Sequence, residues 1–486
     1  MAHPPGRAGR RRPRPPGGRP ALSGEPARRP LITGEGRRET AQWLAVHAPG
    51  DGELLAEVAA ADVDDVDRAV RAAQAAWPAW AALPPLARGR ALAAYARLVD
   101  SEQPALAELV HRETGKPLGE AQAEVARAAE VVHHFAAEAE RMWAQQMPGP
   151  TLATGSWVRP SPLGVVAAIT PWNFPVALVV WKLAPALAAG CAVVVKPAVE
   201  APLAAWALCD LAEQAGLPPG LVSCLTGDGP LVGEALATHP EVAKVAFTGS
   251  RRVAEQIAGW AAPRLKALSL ELGGHGALVV LPDADLDIAA EVATMQGYVN
   301  SGQACYAVNR VLVPPALAGD LLERMRARIA AIALGPMTTD RGLARHHALL
   351  EEARGHTGVA IEGGEEISPG RLSPALVTGA GPGVRLVDEE PFTPIVAVIE
   401  VADTAAAIAE ANRPDYGLVN YVCGADLRAA LETAQALASG TVVVNGWRVV
   451  VPYAPYAGWR GSGVGAELGR PGLEAFVHWQ HLRVLA

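Results

Sequence analysis

The chain has 486 residues, 50% of them hydrophobic, with a formal net charge of −8 at pH 7; this excludes a wholly disordered protein and allows two or three globular domains. The charge is uneven: residues 1–30 hold eight Arg and one Glu, so the remaining body has 34 basic against 49 acidic residues, a net of −15. A body that acidic is a poor match for DNA or an anionic membrane surface, which points to a small-molecule ligand.

In chain order, residues 1–30 are rich in Arg, Pro and Gly with no apolar stretch to bury, which predicts a disordered, solvated tail. No hydrophobic segment follows the Arg10–Arg12 run, so a secretory signal is not expected. From Asp62 to about Met147 the sequence is Ala-rich with helical periodicity, and Asp62 is placed as the first N-cap. Gly and Pro around 148–162 frame a short extended segment. An α/β rhythm then begins: a buried strand at 163–169, a helix opened by Pro175 and a strand at 192–195, the pattern of a parallel, doubly wound sheet. Lys182, Pro185 and Gly190 interrupt the apolar region 176–195, so it is not read as a membrane span. Further along come a strand at 244–247, a turn at Gly249 and Ser250, a helix at 251–260, and a strand at 268–272 that carries Glu271 to a sheet edge. A second α/β set starts after Gly276, with a helix at 286–299, a loop holding Cys305, and a strand at 310–313. Asp283, Asp285 and Asp287 are read as helix capping, with no metal site expected. His133–His134 and His346–His347 are placed on the surface. The C-terminal "HLRVLA" has strand character and is expected to pair with 156–159.

None of the five cysteines forms a CxxC pair, so neither zinc nor a disulfide framework is indicated. Cys191, Cys209, Cys224 and Cys423 lie in apolar runs and read as small buried hydrophobes. Cys305 instead sits in the glycine-flanked loop "GQACYAVNR". With Glu271, 34 residues upstream, it forms a nucleophile–base combination. The thiolate can attack a carbonyl carbon, and the carboxylate can activate the water that releases the acyl group. Asn173, at a strand end, can donate its amide to an oxyanion alongside the backbone N–H of Cys305. Gly249 and Ser250 open a helix whose free N–H groups favour a phosphate. In such a sheet, ligands are expected at the carboxyl ends of the strands.

The segments "TPWNFP" (170–175), "VVVKPA" (193–198), "FTGS" (247–250), "LELGG" (270–274), "GQAC" (302–305), "EEPFTP" (389–394) and "PYAGWRGSG" (455–463) occur in the order found in the aldehyde dehydrogenase superfamily, which the chain resembles from about residue 40 to its end. The resemblance implies an α/β fold with a Rossmann-like cofactor-binding domain (31–147 and 163–274), an α/β catalytic domain (275–450) and a small β oligomerisation arm (148–162 and 476–486). It implies an NAD(P)-dependent, non-acylating oxidation of an aldehyde to a carboxylate. In it Cys305 would be the nucleophile, Glu271 the general base and Asn173 the oxyanion donor. The implied cofactor residues are Thr170, Pro171, Trp172, Lys196, Gly249, Ser250, Leu272, Glu390 and Phe392, with Lys196 at the adenosine ribose and Glu390 and Phe392 at the nicotinamide. Phe174, Trp181, Tyr306 and Tyr456 would wall the substrate pocket, with Trp447 and Tyr453 as further aromatic candidates.

The departures from the family pattern are informative. Val199 stands where the family often has a Glu that binds ribose hydroxyls and repels a 2′-phosphate, but Glu200 follows at once, so NAD and NADP both stay open. Ala254 replaces a usual Gly. Trp181 stands where succinate-semialdehyde dehydrogenases commonly have an Arg, although Arg310, Arg448 or Arg460 could supply the cation. Succinate semialdehyde, a coenzyme A-acylating reaction and a non-catalytic binding role are the alternatives. The expected partners are a small-molecule aldehyde and a second or further copies of the chain, as homodimer or homotetramer, with no nucleic acid or membrane and a cytoplasmic location.

Overall fold

A computed structural model describes residues 27–149 and 155–485. Its first sheet is built on strands apolar along their whole length, because helices cover both faces; Val165–Ile169 and Ala192–Lys196 are buried at every position. Five parallel strands lie in the spatial order Ala267–Glu271, Val242–Thr248, Val165–Ile169, Ala192–Lys196, Val222–Cys224. The chain thus moves outward from Val165–Ile169 in one direction and returns to build on its other side. The order reverses between Val165–Ile169 and Val242–Thr248, the switch point at which such sheets open a crevice. Leu31–Thr33 and Gly36–Arg38 extend one edge antiparallel, and Gly463–Val464 closes the other. Glu271 is therefore not on a free edge as expected, since Gly463 pairs with it.

A second sheet orders Ala375–Thr378, Ile395–Glu400, Val308–Val313, Gly276–Val280, Val419–Cys423 and Thr441–Val444, all parallel, with Ala360–Glu362 antiparallel at one end. Before the five parallel strands of the first sheet come four helices between Val63 and Ala139. Asp62 caps the first through a reciprocal capping box: its carboxylate accepts from Asp65 N at 2.8 Å, and Asp65 accepts from Asp62 N at 3.2 Å. A separate three-stranded sheet joins Gln145–Pro148, Gly155–Pro162 and Val477–Val484, with His481 opposite Val158 and Leu482 opposite Trp157. The pairing expected of the C-terminal segment is present and runs over eight residues.

Two further expectations change. Ala27–Arg29, assigned to the disordered tail, form a parallel strand along Leu54–Ala59, and Arg29 lies over the Trp206 ring; backbone pairing and a stacking partner order a segment with little apolar content of its own. The tail reading for residues 1–26 lies outside the described residues, as does the arm reading for 150–154. His346 is fully buried, on the same helix face as Leu349, Leu350 and Ala353, with Nε2 2.9 Å from Gly364 O. Asp285 caps its helix as expected. No helix among the described residues is long and apolar enough to cross a membrane.

Candidate active site

Asn173 follows the strand Val165–Ile169, and Glu271 ends the strand Ala267–Glu271, both at carboxyl ends of the first sheet. Cys305 instead precedes Val308–Val313, at the amino end of the second sheet. The three candidate residues therefore lie where the carboxyl edge of one sheet meets the amino edge of the other, with Asn173 and Glu271 on the first and Cys305 on the second.

The loop before Cys305 carries three consecutive left-handed residues, Asn300 (φ 49), Ser301 (φ 56) and Gly302 (φ 73). Asn and Ser pay conformational strain there, so neighbours must hold them. Glu120 accepts from Asn300 N at 2.8 Å, and Ser301 Oγ donates to Gly335 O at 2.9 Å. The Gln303 amide spans Asn300 O and Thr338 N. A Cβ on Gly302 would overlap the backbone of Thr393, so only glycine fits.

Asn173 is buried, and its Nδ2 donates to Gln303 O at 3.0 Å. That bond fixes the plane of the amide and occupies one of its two N–H groups. Cys305 is nearly buried, with Sγ 3.4 Å from the Tyr456 hydroxyl. Both Glu271 carboxylate oxygens are buried without a hydrogen-bond partner. Burial first, then the charge of Glu467, pushes Glu271 up to about 8, against the pull of Lys182. Burial, followed by the Glu271 charge, raises the Cys305 thiol well above its ordinary value. The Glu271 charge disfavours the Cys305 thiolate, whereas the neutral Cys305 thiol favours the ionised form of Glu271.

Lys182 and Glu467 were not singled out from the sequence as site residues. Lys182 is fully buried, and its Nζ donates to Thr248 Oγ1 and Glu467 Oε1, both at 2.6 Å. The available signal was a lone Lys inside "VALVVWKLAPALAA", because a buried ammonium demands partners. Glu467 in turn exchanges two backbone bonds with Tyr456, so the ion pair is tied to the residue touching Cys305.

Phe174 stacks on Tyr306 with centroids 5.7 Å apart, and Trp181 meets Tyr456 edge-on at 5.2 Å. All four predicted pocket aromatics thus form two ring pairs, and Tyr306 and Tyr456 connect them to Cys305. Tyr453 is 73% exposed and stands apart from them. Of the cations considered for an anionic substrate, Arg310 is taken by the Glu410, His275 and Ala411 carbonyls, and Arg460 by Asn412 and Tyr416. Arg448 lies over Trp447 at 5.5 Å.

The cofactor candidates sit around the switch point. Ser250 is the N-cap of Arg251–Ala261, and Gly249 N donates to Glu271 O at 3.1 Å, which joins the phosphate turn to the base strand. Ala254 is buried within that helix, away from the turn itself. Lys196 is buried, uses one donor on Pro197 O at 2.9 Å, and is lowered to about 8 by burial despite Glu200 and Asp228. Thr170 Oγ1 is buried without a partner. Glu390 accepts from Gly274 N at 3.0 Å, and a Cβ on Gly273 would overlap its carboxylate. Phe392 adopts φ 55 and meets Trp172 edge-on at 5.8 Å, while Arg345 donates to the carbonyls of Glu390 and Pro391 just before it. Leu272 N is bonded to Ser462 O. Spare donors on Lys196, an orphaned hydroxyl at Thr170 and the open helix start at Ser250 fit a dinucleotide with ribose hydroxyls and a pyrophosphate. Val199 is 39% exposed and offers no carboxylate to a ribose.

Comparison with known proteins agrees with this geometry. The profile of the Aldehyde dehydrogenase family matches residues 37–482. A Sinorhizobium fredii protein named as a probable NADP(+) succinate-semialdehyde dehydrogenase is 34% identical over 95% of this chain and 96% of its own. A glutarate-semialdehyde dehydrogenase of Pseudomonas putida is 34% identical over 91% and 95%. The crystal structure of an NAD-dependent aldehyde dehydrogenase from Sinorhizobium meliloti superposes with TM-score 0.93 at 30% identity, covering 97% of both chains.

Proposed function

The chain belongs to the aldehyde dehydrogenase family, and on that premise we propose that it oxidises an apolar aldehyde to the carboxylate, with NAD or NADP as acceptor, through a thioester on Cys305. The observation that carries this reading is the buried, unpartnered Glu271 carboxylate beside the Cys305 thiol, with the Asn173 amide held across from them. A hydrolytic base so placed has no task in a coenzyme A-acylating enzyme, where the thiol of coenzyme A is itself the deacylating nucleophile.

Cys305 Sγ adds to the carbonyl carbon as its proton passes to Glu271, and the π pair moves onto oxygen facing the free N–H of Asn173 and the backbone N–H of Cys305. When bound, the nicotinamide supplies the acceptor for the hydride that leaves this carbon. What remains on Cys305 is a thioester. Glu271, having released that first proton to solvent, takes a proton from water, whose oxygen attacks the thioester carbon; the C–S bond breaks, the acid leaves, and Glu271 returns the proton to the freed Cys305 thiolate. Thr170, Lys196, Ser250, Glu390 and Phe392 would hold the dinucleotide at its adenosine, phosphate and nicotinamide ends.

The test is absorbance at 340 nm with both dinucleotides and a panel of aldehydes, with and without coenzyme A. Carboxylate formation without coenzyme A is expected; cofactor binding with no oxidation of any aldehyde would favour a non-catalytic role. Cys305→Ala should abolish turnover. Glu271→Gln should let an acyl-enzyme accumulate, visible as an intact-mass increase, and an unchanged steady-state rate would count against Glu271 as base.

The names of the relatives favour a second reading, a semialdehyde carrying its own carboxylate. The two aromatic pairs argue for an apolar chain instead, and only Arg448 of the three candidate cations lacks carbonyl or carboxylate partners among the bonds described. A higher kcat/KM for succinate or glutarate semialdehyde than for an uncharged aldehyde of equal length, lost in Arg448→Ala, would establish that second reading. The exposed three-stranded sheet ending at Val484 supports self-association as a dimer or tetramer.

A further inference from the structure

The helix Leu118–Ala139 presents two carboxylates one turn apart, and each grips a different half of the site. Glu124 is buried; its Oε1 accepts from Val176 N at 2.9 Å and Ala177 N at 3.1 Å, at the start of the helix that follows Asn173. Its Oε2 receives the buried Lys116 ammonium at 2.5 Å. Lys116 Nζ also donates to Asn173 O at 2.7 Å and lies 4.2 Å from the Phe174 ring centroid. Glu120 holds Asn300 N, and Asn300 Nδ2 then donates to both Asn173 O at 3.0 Å and Gln303 O at 3.2 Å. Asn173 O and Gln303 O are thus bridged by one amide, and Gln303 O also receives the Asn173 side chain.

We propose that Lys116, Glu124 and Glu120 are positioning residues that fix the Asn173 oxyanion donor relative to Cys305 by clamping the Asn173 turn and the nucleophile loop to one helix. None of the three needs to touch substrate; each acts through Asn173 or Asn300. An oxyanion donor is effective only where its N–H meets the developing charge, so a small displacement of the turn is costly. The chemical reason for a charged clamp is that the amides of Val176 and Ala177, and the carbonyl of Asn173, are buried main-chain groups that need partners of opposite polarity. The inference rests on Asn173 and Cys305 having the roles proposed above.

Two reactions of Cys305 in the full-length protein separate this from a general effect. Acylation by p-nitrophenyl acetate passes through a tetrahedral oxyanion as Sγ bonds to the carbonyl carbon and p-nitrophenolate leaves. Alkylation by iodoacetamide displaces iodide and forms no oxyanion. Lys116→Met and Glu120→Ala should each slow acylation about tenfold to hundredfold and leave alkylation within about twofold. Lys116→Arg and Glu120→Gln, which keep a donor and an acceptor respectively, should recover most of the rate. In an Asn173→Ala background, Lys116→Met and Glu120→Ala should have no further effect on acylation. Equal loss of both reactions, or an undiminished loss of acylation without Asn173, overturns the proposal. Glu120 is only half-buried, so Glu120→Ala carries the test if Lys116→Met fails to fold. Neither reaction consumes an aldehyde or a dinucleotide, so the outcome stays separate from whether the enzyme oxidises aldehydes.

Discussion

At the scale of single residues, a pH dependence follows from the role proposed for Glu271. A base works only when ionised, and burial raises this one from 4.5 to about 8. Thioester hydrolysis should therefore climb with pH, pass half its maximum near 8 and level off above that, and Glu271→Gln should remove that limb. Glu467→Gln deletes the like charge and frees Lys182, both of which favour ionised Glu271, so the limb should move to lower pH. A limb that stays in place would show that another group controls it. Val199 gives a second expectation: without a carboxylate at this position a 2′-phosphate is spared one source of repulsion, and Val199→Glu should lower kcat/KM for NADP more than for NAD. Cys305 and Glu271 were legible because a thiol in a polar glycine-flanked loop and a carboxylate ending an apolar strand are unusual in their settings; Asn173, an ordinary turn residue by itself, was legible only through the motif it shares with the aldehyde dehydrogenases. Lys116 was not, because nothing in "TGKPLGE" tells that its ammonium ends beneath Asn173; it is buried by segments distant in sequence.

Among the elements, the strands and helices that frame the site follow from apolar runs and glycine punctuation, and their bounds in the structure differ from those read in the sequence by a few residues. The short strand Gly463–Val464 was missed because two residues carry no periodicity; Leu270 and Glu271 supply its partners. The turn after Glu271 is where one methyl group matters most. A Cβ on Gly273 would overlap the Glu390 carboxylate, so Gly273→Ala should push that side chain out and raise KM for the dinucleotide about tenfold or more, a loss of a charged hydrogen-bonding group worth roughly 1.5–3 kcal/mol. Titration of cofactor binding by fluorescence checks this, and unchanged affinity would remove Glu390 from the ribose site.

For the molecule as a whole, the three-stranded sheet that includes Val477–Val484 is the feature proposed above to pair with another copy of the chain. Trp479, Leu482 and Val484 are exposed on it, which is unfavourable for a strand facing only water. Deleting residues 477–486 should reduce the mass measured by light scattering to that of a smaller assembly, and an unchanged mass would place the contact elsewhere. The sequence by itself indicated the reaction class, because its ordered motifs resemble those of the aldehyde dehydrogenases and the chain belongs to that family. It also marked the parallel sheets, since strands buried on both faces must be continuously apolar. Only the tertiary structure decided that the site opens between the carboxyl edge of one sheet and the amino edge of the other. The same holds for Lys182 and Glu467, 285 residues apart, which set the charge around Glu271. Long-range pairing of buried charges leaves no local pattern, because the partner that makes a buried lysine tolerable is chosen by the fold.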